Sequence, residues 1–498
     1  MYFSKSKYCG FYQCPKITWL KKYKPDMYIS DASALSRMDN GSEIGNLAKG
    51  LFGDFVDVTT IKDDKLDIPV MIANTKDNIS KSTAVICEAA FEYDGLYCAV
   101  DILKKEPLGY SIYEVKSSTH ENNYIYAVDI AYQRYVLEKC GINVVSCNIV
   151  TINNDYILDG ELDIYQLFKI TNLDSVVDEE IKNVENKLKE AKKILEQEIE
   201  PNIDININCH TPYECGFWKY CSKHIPEYSV FNLYSTSFQK KLELYNNGII
   251  TFEDLANTGQ YFGPKQNMQI SHAVADLPDY IDKNGIQKFL DTLTYPLYFL
   301  DFETMQLPIP KYKGTKPYQQ IPFQYSLHYI ESPNGELKHK EFLAESGVDP
   351  RRAIAESLCQ NIPMNVCVLA YNKSFECGRL SELSFIYPDL SEHLMNISIN
   401  MKDLIDPFRD GYCYNKRMGG SFSIKSVLPA LFPNDPSLDY HNLEGVHNGG
   451  EAMSIFPKIK DMPLEEQKKA RESLLKYCEL DTFAMVKIFQ YLHKVIEE

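Results

Sequence analysis

The feature that most constrains the fold is a set of cysteines placed at the two ends of one block. Cys14 stands in YCGFYQCPKITWL, and Cys209, Cys215 and Cys221 follow in NCHTPYECGFWKYC. Thiolates clustered in this way can hold a metal centre, and a centre supplied from both ends clips the whole block together. Inside the block, VDIL carries Asp101, and after a short hairpin YEVKSS carries Glu114 and Lys116. Two residues apart on a strand, Glu114 and Lys116 project to the same face. A cation held by Asp101 and Glu114 could activate a water, with the lysine placing positive charge beside an attacked phosphate. Gln133, in AVDIAYQRYVLEKCG, lies on an expected helix that could reach the same cleft. Glu88, on the strand before the hairpin, is a further candidate ligand; the competing reading is an edge-strand carboxylate.

A chain of 498 residues exceeds one compact core, so two or three domains are expected. It has no run near the ~20 apolar residues of a membrane span. The start, MYFSKSKYCG, lacks an apolar signal core, which places the protein in the cytoplasm as an expectation. There, fourteen cysteines divide into buried thiols and a metal cluster rather than disulfides. The net charge of −17 excludes a general nucleic-acid-coating protein, which needs a basic face. It does not exclude a nuclease, because carboxylates gathered around metal ions raise the acidic count and the ions reverse the local sign. Lysines interleaved with tyrosines in WLKKYKPDMY and IPKYKGTKPYQQ suit phosphate and base-stacking contacts, or simply a solvated loop.

Along the chain, Asp94-Gly95 marks a hairpin turn. Val177, Ile181, Val184, Leu188, Ala191 and Leu195 recur at helical spacing and predict a long amphipathic helix that Pro201 stops. The organisation expected is a first domain over 1–228, a helical connector over 229–292 and a second domain over 293–498. The last opens with the apolar strand YPLYFLDFE and closes with a long helix from about Pro463.

The second domain has its own constellation. Asp301 and Glu303 in YFLDFETM face one side of a strand end, and Tyr477 and Asp481 in LLKYCELDTFAM lie one helical turn apart. Glu376, in VLAYNKSFECGRL, starts a predicted helix between them. Two divalent ions on such carboxylates would stabilise the attacking and leaving oxygens of phosphodiester hydrolysis, with the tyrosine hydroxyl orienting the water.

The first block resembles the PD-(D/E)xK nucleases of the RecB type, in particular the iron-sulfur branch with the CRISPR-associated adaptation nucleases and the AddB nuclease domain. The resemblance implies metal ligands at Asp101 and Glu114, a catalytic lysine at Lys116, a helix glutamine at Gln133, and a 4Fe-4S cluster on Cys14, Cys209, Cys215 and Cys221. The thiols alone leave a four-cysteine zinc clip or unligated thiols open, and His210 and His224 keep a mixed zinc site in play. The C-x5-C-x5-C spacing departs from the tighter first gap of many members, and SEIGNLAKGLFGDF lacks the metal-binding histidine that many contribute.

The second constellation resembles the DEDD exonucleases with an RNase H-like fold, of the subtype with Tyr-x-x-x-Asp in its third motif. Asp301 and Glu303 match the first motif, Asn372 to Glu376 the second, and Tyr477 with Asp481 the third. Glu376 stands where most such enzymes have aspartate. GGSFSIKSVLPALF is similar to a serine-and-lysine segment of proofreading exonucleases. Taken together, the two halves resemble an uncharacterised bacterial two-nuclease family. The expectation is an α/β protein: a restriction-endonuclease-like PD-(D/E)xK domain with an iron-sulfur clip, a helical connector and an RNase H-like 3′-5′ exonuclease domain. Its expected cofactors are the cluster with magnesium or manganese, and its expected partner is nucleic acid, DNA before RNA, in repair, end processing or defence. The rival expectation is a nucleic-acid-binding scaffold with one or both sites inactive, favoured by the absent histidine and by Glu376.

Overall fold

The computed structural model describes residues 2–30, 33–120 and 123–498, with residues 33–40 and 123 described by backbone alone. The fold is mixed α/β. It divides into two compact units, one containing residues up to Lys223 together with Leu307–Gln319, the other His224–Gln306 and Gln320–Glu498. Among the described residues no helix is long and apolar enough to cross a membrane.

The first unit is built on a seven-stranded sheet. Its main path runs Val56–Asp57, Val85–Tyr93, Leu96–Glu106, Gly109–Val115, Val144–Ile152 and Phe168–Asn172, with Phe3–Ser4 added in parallel to Leu96–Glu106. Asp94 and Gly95 both adopt positive φ, +49° and +78°, as a tight two-residue hairpin turn demands. Apolar side chains cover both faces. On one, Ile86, Leu103, Ile112 and Ile149 pack under the helix Asn123–Lys139 through Ala127, Ile130 and Ala131; on the other, Val85, Cys87, Ile102 and Val150 pack with Ile44 and Ala48.

The long amphipathic helix spans Asp174–Glu196 and buries Val177, Val184 and Ala191. It ends five residues before Pro201, so the proline is not what stops it. Its terminal carbonyls are taken up instead by the helix Pro15–Tyr23. Lys22 Nζ and Tyr23 OH donate to Leu195 O at 2.8 and 3.1 Å, and Trp19 Nε1 donates to Gln197 O at 3.0 Å.

The second unit holds a five-stranded sheet in the order Leu337–Leu343, Gln320–Ile330, Leu297–Gln306, Cys367–Ala370, Met401–Asp403. Among the first three strands each neighbouring pair is antiparallel; the last two strands run parallel to the central strand Leu297–Gln306. That strand is apolar without alternation because both its faces are covered. Leu297 and Phe299 pack with Leu480, Ala484 and Ile488 of the final helix, Leu464–Glu497, whereas Tyr298 and Leu300 pack with Ile354, Leu380 and Leu394. Between 229 and 292 lie the helices Phe238–Asn246, Phe252–Asn257, Pro264–Val274 and Lys283–Leu290. Val230, Leu244, Phe252 and Ile270 form the core of that segment, and Gly248 makes its turn at φ +78°.

Candidate functional site

In the second unit the apolar run of the central strand ends at Asp301, and Glu303 follows on the same face, opposite Ser326 and Gln324 of the neighbouring strand. The final helix crosses this point and contributes Tyr477 and Asp481, both buried. One carboxylate oxygen from each of Asp301, Glu303 and Asp481 lies within 4.8 Å of the other two. Burial and the charge of Asp481 push the Asp301 and Glu303 carboxyls well above the usual carboxylate range. Asp481 is pushed by burial to about 6, held there by hydrogen bonds from Tyr440 and Tyr477 and by the charge of Lys425. Tyr440 OH donates to Asp481 Oδ1 at 2.6 Å.

Glu376 sits in the first turn of the helix Ser374–Ile386, buried, with Oε2 lacking a hydrogen-bond partner. Burial and Asp403 push it up to about 8. Its charge also acts on Asp301, although it stands outside the tight trio. Asn372 takes a positive φ of +68°, and its amide donates to Asp403 Oδ1 at 2.8 Å, which fixes the turn leading into Glu376. A cleft of about 1170 Å3, lined by Lys425, Tyr440, His447 and Asn448 among others, shares Lys425 and Tyr440 with the carboxylate cluster.

In the first unit Glu114 is almost wholly buried and its carboxylate is shared out among cations and an amide. Lys116 Nζ and Lys5 Nζ lie 2.6 and 2.7 Å from Oε1, and Gln133 Nε2 donates to Oε2 at 2.7 Å. Lys116 and Gln133 both also reach Asp129, at 2.8 and 3.1 Å. Against the cost of burial, the two lysines hold Glu114 well below the carboxylate range. Asp101, whose Oδ2 accepts from Val115 N at 2.7 Å, is raised to about 7 by burial and by Glu114.

Glu88 and Asp101 stand opposite each other at a break in the ladder, where pairing passes from Cys87↔Ile102 to Ala89↔Val100. At this level the apolar pattern changes face: Cys87 and Ile102 join one core, Ala89 and Val100 the other. Glu88 itself adopts φ +55°, a strained conformation for a non-glycine residue. Its strand lies between Val56–Asp57 and Leu96–Glu106, and the two-residue neighbour pairs with Ile86 and Cys87, so Glu88 follows directly after that pairing. Its nearest cation is Lys49, 3.6 Å away.

Cys14, Cys209, Cys215 and Cys221 line one small cavity of about 20 Å3, together with Ile17, Leu20 and Phe217. All four thiols are free of disulfides. The Cys221 thiol is raised to about 11, by burial and by the other three sulfurs acting together against Lys16. Neither flanking histidine lines that cavity: His210 packs on Trp218, and His224 bonds Tyr245 OH at 2.8 Å.

Sequence reasoning missed Lys5, Asp129, Tyr440 and Asp403. Asp129 precedes Gln133 by one helical turn and was therefore accessible to a search for same-face polar pairs. Lys5 and Tyr440 carry no local signal.

A profile of a domain of unknown function, DUF2779, matches residues 298–423. That stretch includes Asp301, Glu303 and Glu376 and stops short of Tyr477 and Asp481. The chain is 27% identical over 217 residues to an uncharacterised protein of Mycoplasma genitalium and, equally, to its homologue in Mycoplasma pneumoniae, covering 40% of this chain and 32% of each relative. The chain thus spans about a third of the length of the curated relatives it matches. No solved structure matches.

Proposed function

We propose that this protein is a metal-dependent nuclease whose principal site is a 3′-5′ exonuclease centre on Asp301, Glu303, Glu376, Tyr477 and Asp481. The observation that carries the reading is the convergence of the half-buried Asp301 with the buried Glu303 and Asp481, three carboxylates with no cation bonded between them among the described residues. Oxygen donors of this kind suit magnesium or manganese, and such ions would stabilise the charge on the attacking and leaving oxygens of a phosphodiester. The order of the five strands, three antiparallel followed by two parallel to the central one, supports an RNase H-like fold. Tyr477 and Tyr440 hold Asp481 by hydrogen bonds, and Tyr477 is the group placed to orient a water. Lys425 faces the same carboxylates from the rim of the cleft and offers a charge to a phosphate, and the cleft has room for a strand end.

In the first unit, Asp101, Glu114, Lys116 and Gln133 meet as a PD-(D/E)xK site requires, with Glu88 beside Asp101 as a further carboxylate. The cysteine quartet fits a metal centre: four free thiols converge on one apolar pocket. A zinc ion with bonds of about 2.3 Å would draw its sulfurs to about 3.8 Å from one another. A 4Fe-4S cluster holds its thiolates farther apart, and it is the group that the resemblance to the iron-sulfur branch implies for Cys14, Cys209, Cys215 and Cys221. Its role there is structural, joining the two ends of the unit. One observation favours a second reading of this unit as a nucleic-acid-binding platform: Lys5 and Lys116 already neutralise Glu114, so its demand for a metal ion is small.

End-labelled single-stranded DNA and RNA, incubated with magnesium or manganese and with chelator, test the whole reading. Shortening from the 3′ end that chelator stops and that Asp301→Ala removes is the expected result. Intact substrate under every condition would leave the protein without the proposed activity. DNA is expected to be shortened faster than RNA. Lys116→Ala separates the two readings of the first unit, since a platform would leave every cleavage product unchanged.

A further inference from the structure

We infer that His328, His339 and Glu479 form a second metal site in the second unit, selective for a borderline divalent ion such as zinc and separate from the proposed magnesium or manganese centre. One donor atom from each of the three lies within 4.8 Å of the other two. His328 and His339 are direct cross-strand partners on Gln320–Ile330 and Leu337–Leu343, with ring centroids 4.4 Å apart. Glu479 comes from the final helix, and its Oε1 stands 3.9 Å from His339 Nδ1. In a tetrahedral zinc site with bonds of 2.0–2.1 Å, neighbouring donors are about 3.3 Å apart, so a small contraction around an ion would complete the array.

The hydrogen bonds around the two rings fix which nitrogens are available. Thr482 Oγ1 donates to Glu479 O at 3.1 Å. All of these contacts are satisfied at once only when Thr482 accepts from both its other partners, His328 Nδ1 at 2.8 Å and Ser326 Oγ at 2.6 Å. Ser326 therefore donates to Thr482 and accepts from His339 Nε2 at 2.9 Å. The chain of bonds puts protons on His328 Nδ1 and His339 Nε2, and leaves lone pairs on His328 Nε2 and His339 Nδ1. This is the arrangement by which outer hydrogen bonds orient metal-binding imidazoles.

The surroundings agree with that assignment. His328 is buried, with Nδ1 engaged by Thr482 and its ring against that of His339. Glu341 lies two residues from His339 on the same strand and so projects to the same face. Two imidazoles with one carboxylate form a donor set that magnesium does not favour and zinc does.

Equilibrium dialysis of the full-length protein against zinc, with excess magnesium present to occupy the carboxylate centre, followed by metal analysis, tests the proposal. The wild type should bind one zinc more than His339→Gln, and Glu479→Gln should hold that ion about tenfold or more weakly. Because Glu479 is exposed and its substitution is isosteric, a folding defect cannot imitate the result. Histidine nitrogen spectra give a second readout: zinc should shift His328 Nε2 and His339 Nδ1 and leave the other nitrogen of each ring protonated. Equal zinc content and affinity in all three proteins, or unshifted histidine signals, would overturn the site. Neither outcome depends on nuclease activity, so the proposal stands or falls separately from the function above.

Discussion

The two carboxylate clusters solve the same electrostatic problem in opposite ways. In the first unit Glu114 is buried with its countercharges supplied by the chain: Lys5 and Lys116 lie within 2.7 Å, and the carboxyl stays ionised. In the second, Glu303 and Asp481 are buried beside the half-buried Asp301, Lys425 acts on Glu303 and Asp481 from the rim, and all three carboxyls rise. A cluster that carries its own cations is stable without metal. A cluster that lacks them stores repulsion that a bound divalent ion would relieve, which is the ground for the metal-dependent role proposed for it.

The sharpest break in this comparison is activity. Asp301→Ala should lower metal-dependent 3′ digestion by ~10³-fold or more, measured on end-labelled oligonucleotides, because it removes charge that holds the cations. Wild-type-like digestion would remove the second cluster from the mechanism.

Stability separates the clusters next. Glu114→Ala removes the carboxylate that two half-buried lysines share, leaving them Asp129, and should cost about 1–3 kcal/mol in denaturant unfolding. Asp301→Asn should act in the reverse direction in metal-free protein at pH 8, stabilising it by about 1 kcal/mol or more, since it supplies a neutral side chain without proton uptake. A destabilised Asp301→Asn protein would mean that the second cluster is not under like-charge strain.

Tyr477→Phe is expected to slow digestion by ~10²-fold while metal binding by calorimetry persists, because the residue offers a hydroxyl rather than a ligand charge. Loss of metal binding in this variant would move Tyr477 from positioning water to building the ion site.

The smallest effect is a pH dependence. Asp481 is raised from 3.8 to about 6 and Glu376 from 4.5 to about 8, so the folded chain binds more protons than the unfolded one between those values. Stability from these groups is full below about pH 4 and is lost as pH rises through about 6 and then about 8. Metal-free protein should therefore melt at a lower temperature at pH 8 than at pH 5, and added manganese should raise the melting temperature more at pH 8. A flat profile in chelator would show that these carboxyls are not held in protonated form.

How much of this was legible depended on the range of the signal. Asp301 and Glu303 follow an apolar strand, and Tyr477 and Asp481 lie one turn apart, so local periodicity alone placed each pair on the correct face. The strand, the final helix and the amphipathic helix at 174–196 follow from the same periodicity. What periodicity does not encode is register. His328 and His339 meet only because their strands pair as they do, and Lys5 reaches Glu114 across 109 positions. Tyr440 opens a three-residue helical turn, Tyr440–Asn442, too short for any period to point it at Asp481. The end of the helix at Glu196 was misplaced for a related reason: its terminal carbonyls are satisfied by side chains from residues 19–23, which outrank a proline five positions on.

The final helix runs without interruption from Leu464 to Glu497 and presents Tyr477 and Asp481 to one set of partners, Glu479 and Thr482 to another. It works like a toothed rack with two pinions engaged at once. Advancing it by one residue moves it ~1.5 Å and turns it by about 100°, so neither set could be retuned alone by sliding. An insertion or deletion between Leu464 and Tyr477 would therefore disengage both, whereas the same change beyond Phe489 would leave both meshed, and chain-length variation in relatives should be confined to that distal end.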